Sequence, residues 1–190
     1  MKRKLFIFLI LNLCMIWIEP CPSSCRCSVM TTTICKGKKL HKVPIGIPEY
    51  TMRLVLSESS ISSIRTHDFE ESLNLRMLVV ADTPLTFFDT EVIKKFKNLV
   101  VLNLKRNQLR KISKFPSHLN LKPLELQSNL LTDIDGPTFS SLRNISISNL
   151  MNNRLSDIPV DLFKPLENLT RYWVWKIILF VHLKLEYSRD

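Results

Sequence analysis

The chain has 190 residues, 45% of them apolar and 23% charged, with a formal net charge of +10. That length sets one domain with ample core. Only three glycines occur, and the sequence holds no P-loop, dinucleotide fingerprint, His-Glu-x-x-His or Gly-x-Ser-x-Gly motif. Enzymatic activity has no support in these residues, and no cofactor is implied.

Met1-Lys-Arg-Lys4 opens the chain and is followed by an apolar run from Leu5 to Ile18, broken only by Asn12. A charged start before a run of this length is a secretory signal, too short to span a bilayer comfortably. Residues 1–20 are assigned to it. No small-x-small triplet precedes Cys21, so cleavage is placed between Cys14 and Cys21, with retention as an uncleaved anchor the alternative. Removal takes Lys2, Arg3, Lys4 and Glu19 with it and leaves the mature chain near +8.

Residues 21–49 then carry Cys21, Cys25, Cys27 and Cys35 at spacing x3, x1, x7, and no cysteine follows. An even set in a secreted chain reads as two disulfides, with three connectivities open. Zinc is the alternative, disfavoured because zinc ligands are usually two to four residues apart and here one pair is separated by Arg26 alone.

From residue 50 to 172 one pattern recurs: apolar, two variable, apolar, one variable, apolar, two variable, Asn, one variable, Leu. It is cleanest in Leu99-Val-Val-Leu102-Asn-Leu104-Lys-Arg-Asn107-Gln-Leu109 and in Leu121-Lys-Pro-Leu124-Glu-Leu126-Gln-Ser-Asn129-Leu-Leu131. First positions fall at Thr51, Leu75, Leu99, Leu121, Ile145 and Leu169, in steps of 24, 24, 22, 24 and 24. That period and wording are those of a leucine-rich repeat. The expected fold is a right-handed α/β solenoid, curved, with parallel strands on the concave face, an irregular or short-helical convex side and an N-terminal disulfide cap. Alternate strand residues point into the core, and Asn107, Asn129 and Asn153 sit where the chain leaves the strand, able to pair backbone groups that the turn leaves open, so that stacked copies form a ladder of such bonds. A second register runs through Phe69, Phe115, Phe139 and Phe163, with Ile93 substituting once. Ser59 and Thr83 replace the Asn in two copies, and Ser148 occupies a core Leu position. Pro123 falls inside an expected strand, where it cannot donate to the ladder, and predicts a local break in the sheet.

Pro22-x-x-Cys25-x-Cys27, then Cys35, Leu40-x-x-Val43-Pro44 and Ile47-Pro48, is similar to the amino-terminal cap of extracellular leucine-rich repeat proteins such as the small proteoglycans, Slit, and platelet glycoprotein receptors. The resemblance implies the pairing Cys21–Cys27 and Cys25–Cys35, and a cap that covers the apolar face of the first coil.

In such a solenoid the strand residues that alternate with buried ones face a partner. They are Arg53, Val55, Ser57 and Glu58; Met77, Val79, Ala81 and Asp82; Val101, Asn103, Lys105 and Arg106; Glu125, Gln127 and Ser128; Ile147, Asn149, Met151 and Asn152; and Arg171, Trp173 and Trp175. The apolar members favour a protein ligand; the competing reading is that β-branched residues there merely stabilise strands. Basic residues cluster in the cap, at Lys36, Lys38, Lys39 and Lys42, and in the third repeat, at Lys94, Lys95, Lys97, Lys105, Arg106, Arg110, Lys111 and Lys114; such a surface, the third repeat above all, suits heparan sulfate or another acidic glycan, against the plainer reading of a solvated face. Nucleic acid is not an expected partner of a secreted chain.

Asn144-Ile-Ser146 and Asn168-Leu-Thr170 are glycosylation acceptors. His41, His67, His118 and His182 are scattered, and Asp133 and Asp135 beside Gly136 read as turn residues, so no metal site is expected. Residues 173–190 depart from the repeat as an apolar, basic tail. It is too broken by Lys176, His182 and Lys184 to span a membrane and suits a last strand with a tendency to self-associate. No second cysteine cap follows, and a truncated or spliced product is expected. Two functional classes follow: a secreted matrix or adhesion binding protein similar to the small proteoglycans, or the truncated ligand-binding ectodomain of a receptor similar to Toll-like or platelet receptors.

Overall fold

The computed structural model describes residues 21–28, 31–69, 73–117, 120–142 and 147–157, together with Pro159 and Leu162. The signal segment, His118, both glycosylation acceptors, Phe163, the sixth repeat copy with Arg171 and Trp173, and the tail lie outside the described residues.

Strands β1 (Cys25–Ser28) and β2 (Thr32–Gly37) form an antiparallel hairpin. Strands β3 (Arg53–Ser59), β5 (Met77–Ala81), β7 (Val101–Asn103), β8 (Pro123–Glu125) and β9 (Ile147–Asn149) then add in parallel, one per repeat, giving the seven-stranded order β1-β2-β3-β5-β7-β8-β9. On the opposite side of the coils, β4 (Ser63–Ile64) pairs with β6 (Phe87–Phe88), and short 3₁₀ turns cover Thr66–Asp68, Thr90–Lys95 and Gly136–Phe139. This is a solenoid of stacked parallel coils with little helix. Hydrogen-bonded strands stand about 4.8 Å apart, closer than 3₁₀ turns pack, so the sheet lines the concave side.

The repeat wording explains the core. Leu54 and Leu56, Leu78 and Val80, Leu102 and Leu104, and Leu124 and Leu126 are all fully buried, the inward half of each strand's alternation. Leu75, Leu99 and Leu121 join them from the strand entrances, and Leu85, Leu109 and Leu131 from the strand exits. Thr51 holds the first of these positions without being apolar. It is fully buried, and its hydroxyl meets that of Thr33 on β2 at 2.8 Å, so the pair is satisfied and ties cap to first repeat. Toward the convex side, Phe69 meets Phe96 edge to face at 5.2 Å and Phe115 packs beside Phe139 at 6.1 Å. Phe96 thus supplies the ring that the coil of Ile93 lacks at the regular position.

In each of the five repeats that contribute a parallel strand, a residue at or shortly beyond the strand's exit lies in the left-handed region: Glu58, Asp82, Arg106, Ser128 and Asn152, with φ between 50° and 56°. None is glycine. The next residue is the Asn of the pattern or its substitute, and the asparagines form one continuous ladder. Asn107 Nδ2 donates to the carbonyls of Val80 and Leu104, Asn129 Nδ2 to those of Leu104 and Leu126, and Asn153 Nδ2 to those of Leu126 and Leu150, all at 2.8–3.0 Å. Their Oδ1 atoms accept from Thr83, Leu109 and Leu131 backbone N–H groups. Buried amides so placed pair backbone groups on both sides of the turn, which helps hold a left-handed residue that would otherwise cost about 1 kcal/mol or more. Ser59 and Thr83 are buried at the same position. Thr83 joins the ladder through its hydroxyl, which donates to Asn107 Oδ1 at 2.7 Å.

The break expected at Pro123 does not occur. At the entrance of earlier strands two successive N–H groups converge on one carbonyl: Arg76 and Met77 on Met52, then Val100 and Val101 on Arg76. In the Pro123 coil, Lys122 N–H makes the equivalent bond to Val100 at 3.0 Å, and Pro123 forgoes only the second donor of that pair. As first residue of its strand it is placed where proline is tolerated, and β8 pairs with both neighbours.

Adjacent coils are also joined on the convex side. Asp89 caps the 3₁₀ turn Thr90–Lys95 by accepting from Glu91 N–H at 3.0 Å, and it accepts from the Thr66 hydroxyl of the preceding coil at 2.5 Å. The Thr66 hydrogen bond, opposed by partial burial, holds the Asp89 carboxyl below its usual range. A depressed folded pKa contributes stability above the ordinary carboxylate value of about 3.9, lost as pH falls through the folded value. Asp89→Ala should therefore cost about 1 kcal/mol at neutral pH. Its thermal melts should also fall less steeply than those of the wild type below pH 4.

Candidate functional site

The strand register arrays the outward residues in rows. Ile34, Val55, Val79, Asn103, Glu125 and Asn149 lie side by side across six strands. Thr32, Arg53, Met77 and Val101 form the row beside it. Val55, Met77, Val79, Val101, Asn103, Lys105, Glu125, Gln127 and Asn149 are half-buried on this face, and Arg53 and Met151 are exposed. Ile147 aligns with Pro123, and of its side chain nothing is described. The structure thus brings the described members of the sequence-predicted face together, with two corrections. Ser57 and Ala81 are buried, because each strand bends inward toward its left-handed exit residue. Asn103 and Asn149 have local work: each Oδ1 accepts an N–H two residues on, from Lys105 and Met151, at 3.1 Å, as in an Asx turn.

The face is graded. Its cap-proximal part is apolar, with Ile34, Val55, Val79, Met77 and Val101 contiguous, and its distal part is polar, with Asn103, Glu125 and Asn149. Ile34 was missed as a member. It belongs because Cys35 points inward, fully buried, so its neighbour on β2 must point outward, where it is 37% exposed. Charged pairs line the strand exits: Lys36 Nζ with Glu58 at 2.8 Å and Arg106 with Asp82 at 3.3 Å. The Lys36 hydrogen bond and charge hold the exposed Glu58 carboxyl below its usual range.

The basic third repeat is not one face. Lys94 and Lys95 stand on the 3₁₀ turn across the coil from the sheet, Lys97 follows that turn, Lys105 and Arg106 stand at the exit of β7, and Arg110, Lys111 and Lys114 continue around the coil. Three of them are engaged: Lys94 pairs with Glu91, Lys95 Nζ donates to the Phe69 carbonyl at 3.0 Å, and Arg106 pairs with Asp82.

The cap is closed by the bridges Cys21–Cys27 and Cys25–Cys35, with Cα separations of 5.7 and 4.0 Å. That is the pairing implied by the family resemblance. Among the described residues no cluster of three or more His, Cys, Asp or Glu could hold a metal ion, and no helix is long and apolar enough to cross a membrane.

Repeat wording, asparagine ladder and disulfide hairpin together define a leucine-rich repeat protein with an amino-terminal cysteine cap. Comparison with known proteins agrees. The chain is similar to Nephrocan of Mus musculus, 30% identical over 118 residues, which are 61% of this chain and 22% of that protein. It is also similar to Leucine-rich repeats and immunoglobulin-like domains protein 3 of Homo sapiens, 29% identical over 62% of this chain and 12% of that protein. BDNF/NT-3 growth factors receptor of Gallus gallus is 32% identical over 57% of this chain and 14% of that protein. The chain therefore spans about a fifth or less of the length of these relatives. No protein-family model matches it. Among solved structures, the TLR13–ssRNA13 complex matches with TM-score 0.70 at 24% identity, over 77% of this chain and 22% of that one, a likeness of fold alone. A complex of Latrophilin 3, Unc5D and FLRT2, with FLRT2 as its leucine-rich repeat component, matches with TM-score 0.62 at 27% identity, over 68% of this chain and 40% of that one.

Proposed function

We propose that this chain is an extracellular binding module, without catalytic activity, that holds a protein partner on its concave sheet. The supporting observation is the contiguous apolar patch of Ile34, Val55, Val79, Met77 and Val101 on strands already fixed by the coil behind them. A rigid, half-exposed apolar surface rimmed by Arg53, Lys105 and Glu125 suits the centre of a protein interface, because burying it releases water at little conformational cost. FLRT2, a leucine-rich repeat protein, occurs in a complex with other proteins, and the BDNF/NT-3 relative is named a growth factor receptor. Both favour a protein ligand here. Secretion with glycans on Asn144 and Asn168 belongs to the same proposal; the matrix-type and receptor-ectodomain versions share this surface and differ only in what adjoins it.

The test is a screen of the purified, disulfide-bonded protein against an array of cell-surface ectodomains, repeated with Val79→Glu/Val101→Glu. A charge at the centre of an apolar contact is expected to weaken binding at least a hundredfold, while the melting temperature changes little because both positions are half-exposed. A partner bound equally well by wild type and variant would overturn the proposal.

A further inference from the structure

The cap carries a second feature, independent of the sheet face: an open cleft of about 690 Å³ on the cap surface. Ser23 and Ser24 from the turn before β1 form one wall. Lys36, Lys38, Lys39 and Lys42, from the end of β2 and the turn beyond it, form the other, and no acidic side chain lines it. All four lysines are exposed. The walls are held in register by the Cys25–Cys35 bridge and by the Lys36 N–H bond to the Ser24 carbonyl. Gly37, at φ +120°, makes the turn that separates Lys36 from Lys38, a conformation that side-chain-bearing residues rarely adopt. Among the described residues Lys36 forms an ion pair with Glu58 outside the cleft, and the charge of Lys38 also helps hold that carboxyl below its usual range. With Lys36 paired, Lys38, Lys39 and Lys42 remain as like charges that repel one another and raise the local positive potential, which an extended polyanion relieves.

We propose that this cleft is the site at which the protein binds a sulfated polysaccharide. Ammonium groups along one wall meet successive sulfates as point charges, and the two serine hydroxyls supply neutral donors opposite them. An open trough admits a chain passing through, which an enclosed pocket for a small anion would not. The third repeat fits this ligand less well, since its charges encircle the coil and three are already paired.

The test compares Lys38→Ser/Lys39→Ser/Lys42→Ser with Lys105→Ser/Arg106→Ser/Arg110→Ser, two variants of identical net charge, for affinity to immobilised heparin and to desulfated heparin. In both proteins the absence of titratable thiol confirms that the cap is closed. The cap variant should bind heparin about tenfold more weakly at physiological salt, where exposed charge pairs contribute fractions of a kcal/mol each. The third-repeat variant should change by less than threefold, and desulfated heparin should bind the wild type weakly. Equal losses in the two variants would show that net charge alone is read. A larger loss in the third-repeat variant would move the site there, and equal affinity for desulfated heparin would make the ligand a polycarboxylate; each of these outcomes overturns the proposal.

Discussion

Asn129→Ala should lower stability by about 3 kcal/mol, read as a fall of roughly 10 °C in melting temperature. Asn129 is 3% exposed and stands in the middle of the ladder. Truncating it strands the Leu109 N–H without an acceptor and takes one of two donors from each of the Leu104 and Leu126 carbonyls, which Asn107 and Asn153 still reach. One orphaned buried amide costs about 1–3 kcal/mol and each lost second bond a fraction of that. Ser128→Gly, one residue away, should be neutral or slightly stabilising, because it relieves the left-handed backbone at φ 56°. Equal losses at the two positions would mean that the turn tolerates no change, rather than that the amide holds it.

Loss of the Cys25–Cys35 bridge is the second large effect expected. Chain-entropy reasoning gives about 2.8 kcal/mol for a loop of this size and about 2.4 for the shorter Cys21–Cys27 loop, a small difference by itself. Their positions widen the gap. Cys35 is fully buried under the first repeat, on the β2 strand that pairs with β3, whereas Cys21 is exposed at the described end of the hairpin. Cys25→Ala/Cys35→Ala should therefore loosen the cover on Leu54 and Leu56 and destabilise the whole solenoid, since a terminal coil has a neighbour on one side only once its cap is gone. Cys21→Ala/Cys27→Ala should leave a cooperative melt within about 2.4 kcal/mol of wild type. Denaturant unfolding of the two double variants checks the order; a reversed order would place the structural burden of the cap on its outer bridge.

Much of the described fold was legible because repetition over-determines it. A single Leu-x-Leu is uninformative, but copies in one register fix strand, turn and core together, and Leu102, Asn107 and Leu109 fall where the pattern puts them. The asparagine ladder between copies follows from the repeat, whereas other contacts between segments were not legible. The Thr33–Thr51 pair joins residues 18 apart that follow no common rule, and Phe96 fills its convex position from outside the regular register. Pro123 misled because the expectation took each strand N–H as indispensable, whereas the strand entrance doubles its donors. The left-handed turn residues escaped notice for a related reason: glycine is the usual sign of that conformation, and here the asparagine ladder stabilises it in Asp82, Arg106 and Ser128 instead. For the site, strand alternation located the outward residues of the concave face. It did not show that the face extends onto the cap through Ile34, that Ser57 and Ala81 turn inward, or that the cap lysines gather around a cleft, because each depends on where chain segments meet.

The concave-face account is tested most directly by hydroxyl-radical footprinting of the protein alone and with the ectodomain it binds. Side-chain oxidation reports exposure, and the two faces carry suitable reporters: Met77 and Met151 along the sheet, the latter 43% exposed, and Phe87, also 43% exposed, on β6 across the coil. Binding should protect Met77 and Met151 and leave Phe87 oxidised at the rate of the free protein. Protection of Phe87 with Met77 unchanged would place the partner on the convex side and contradict the account.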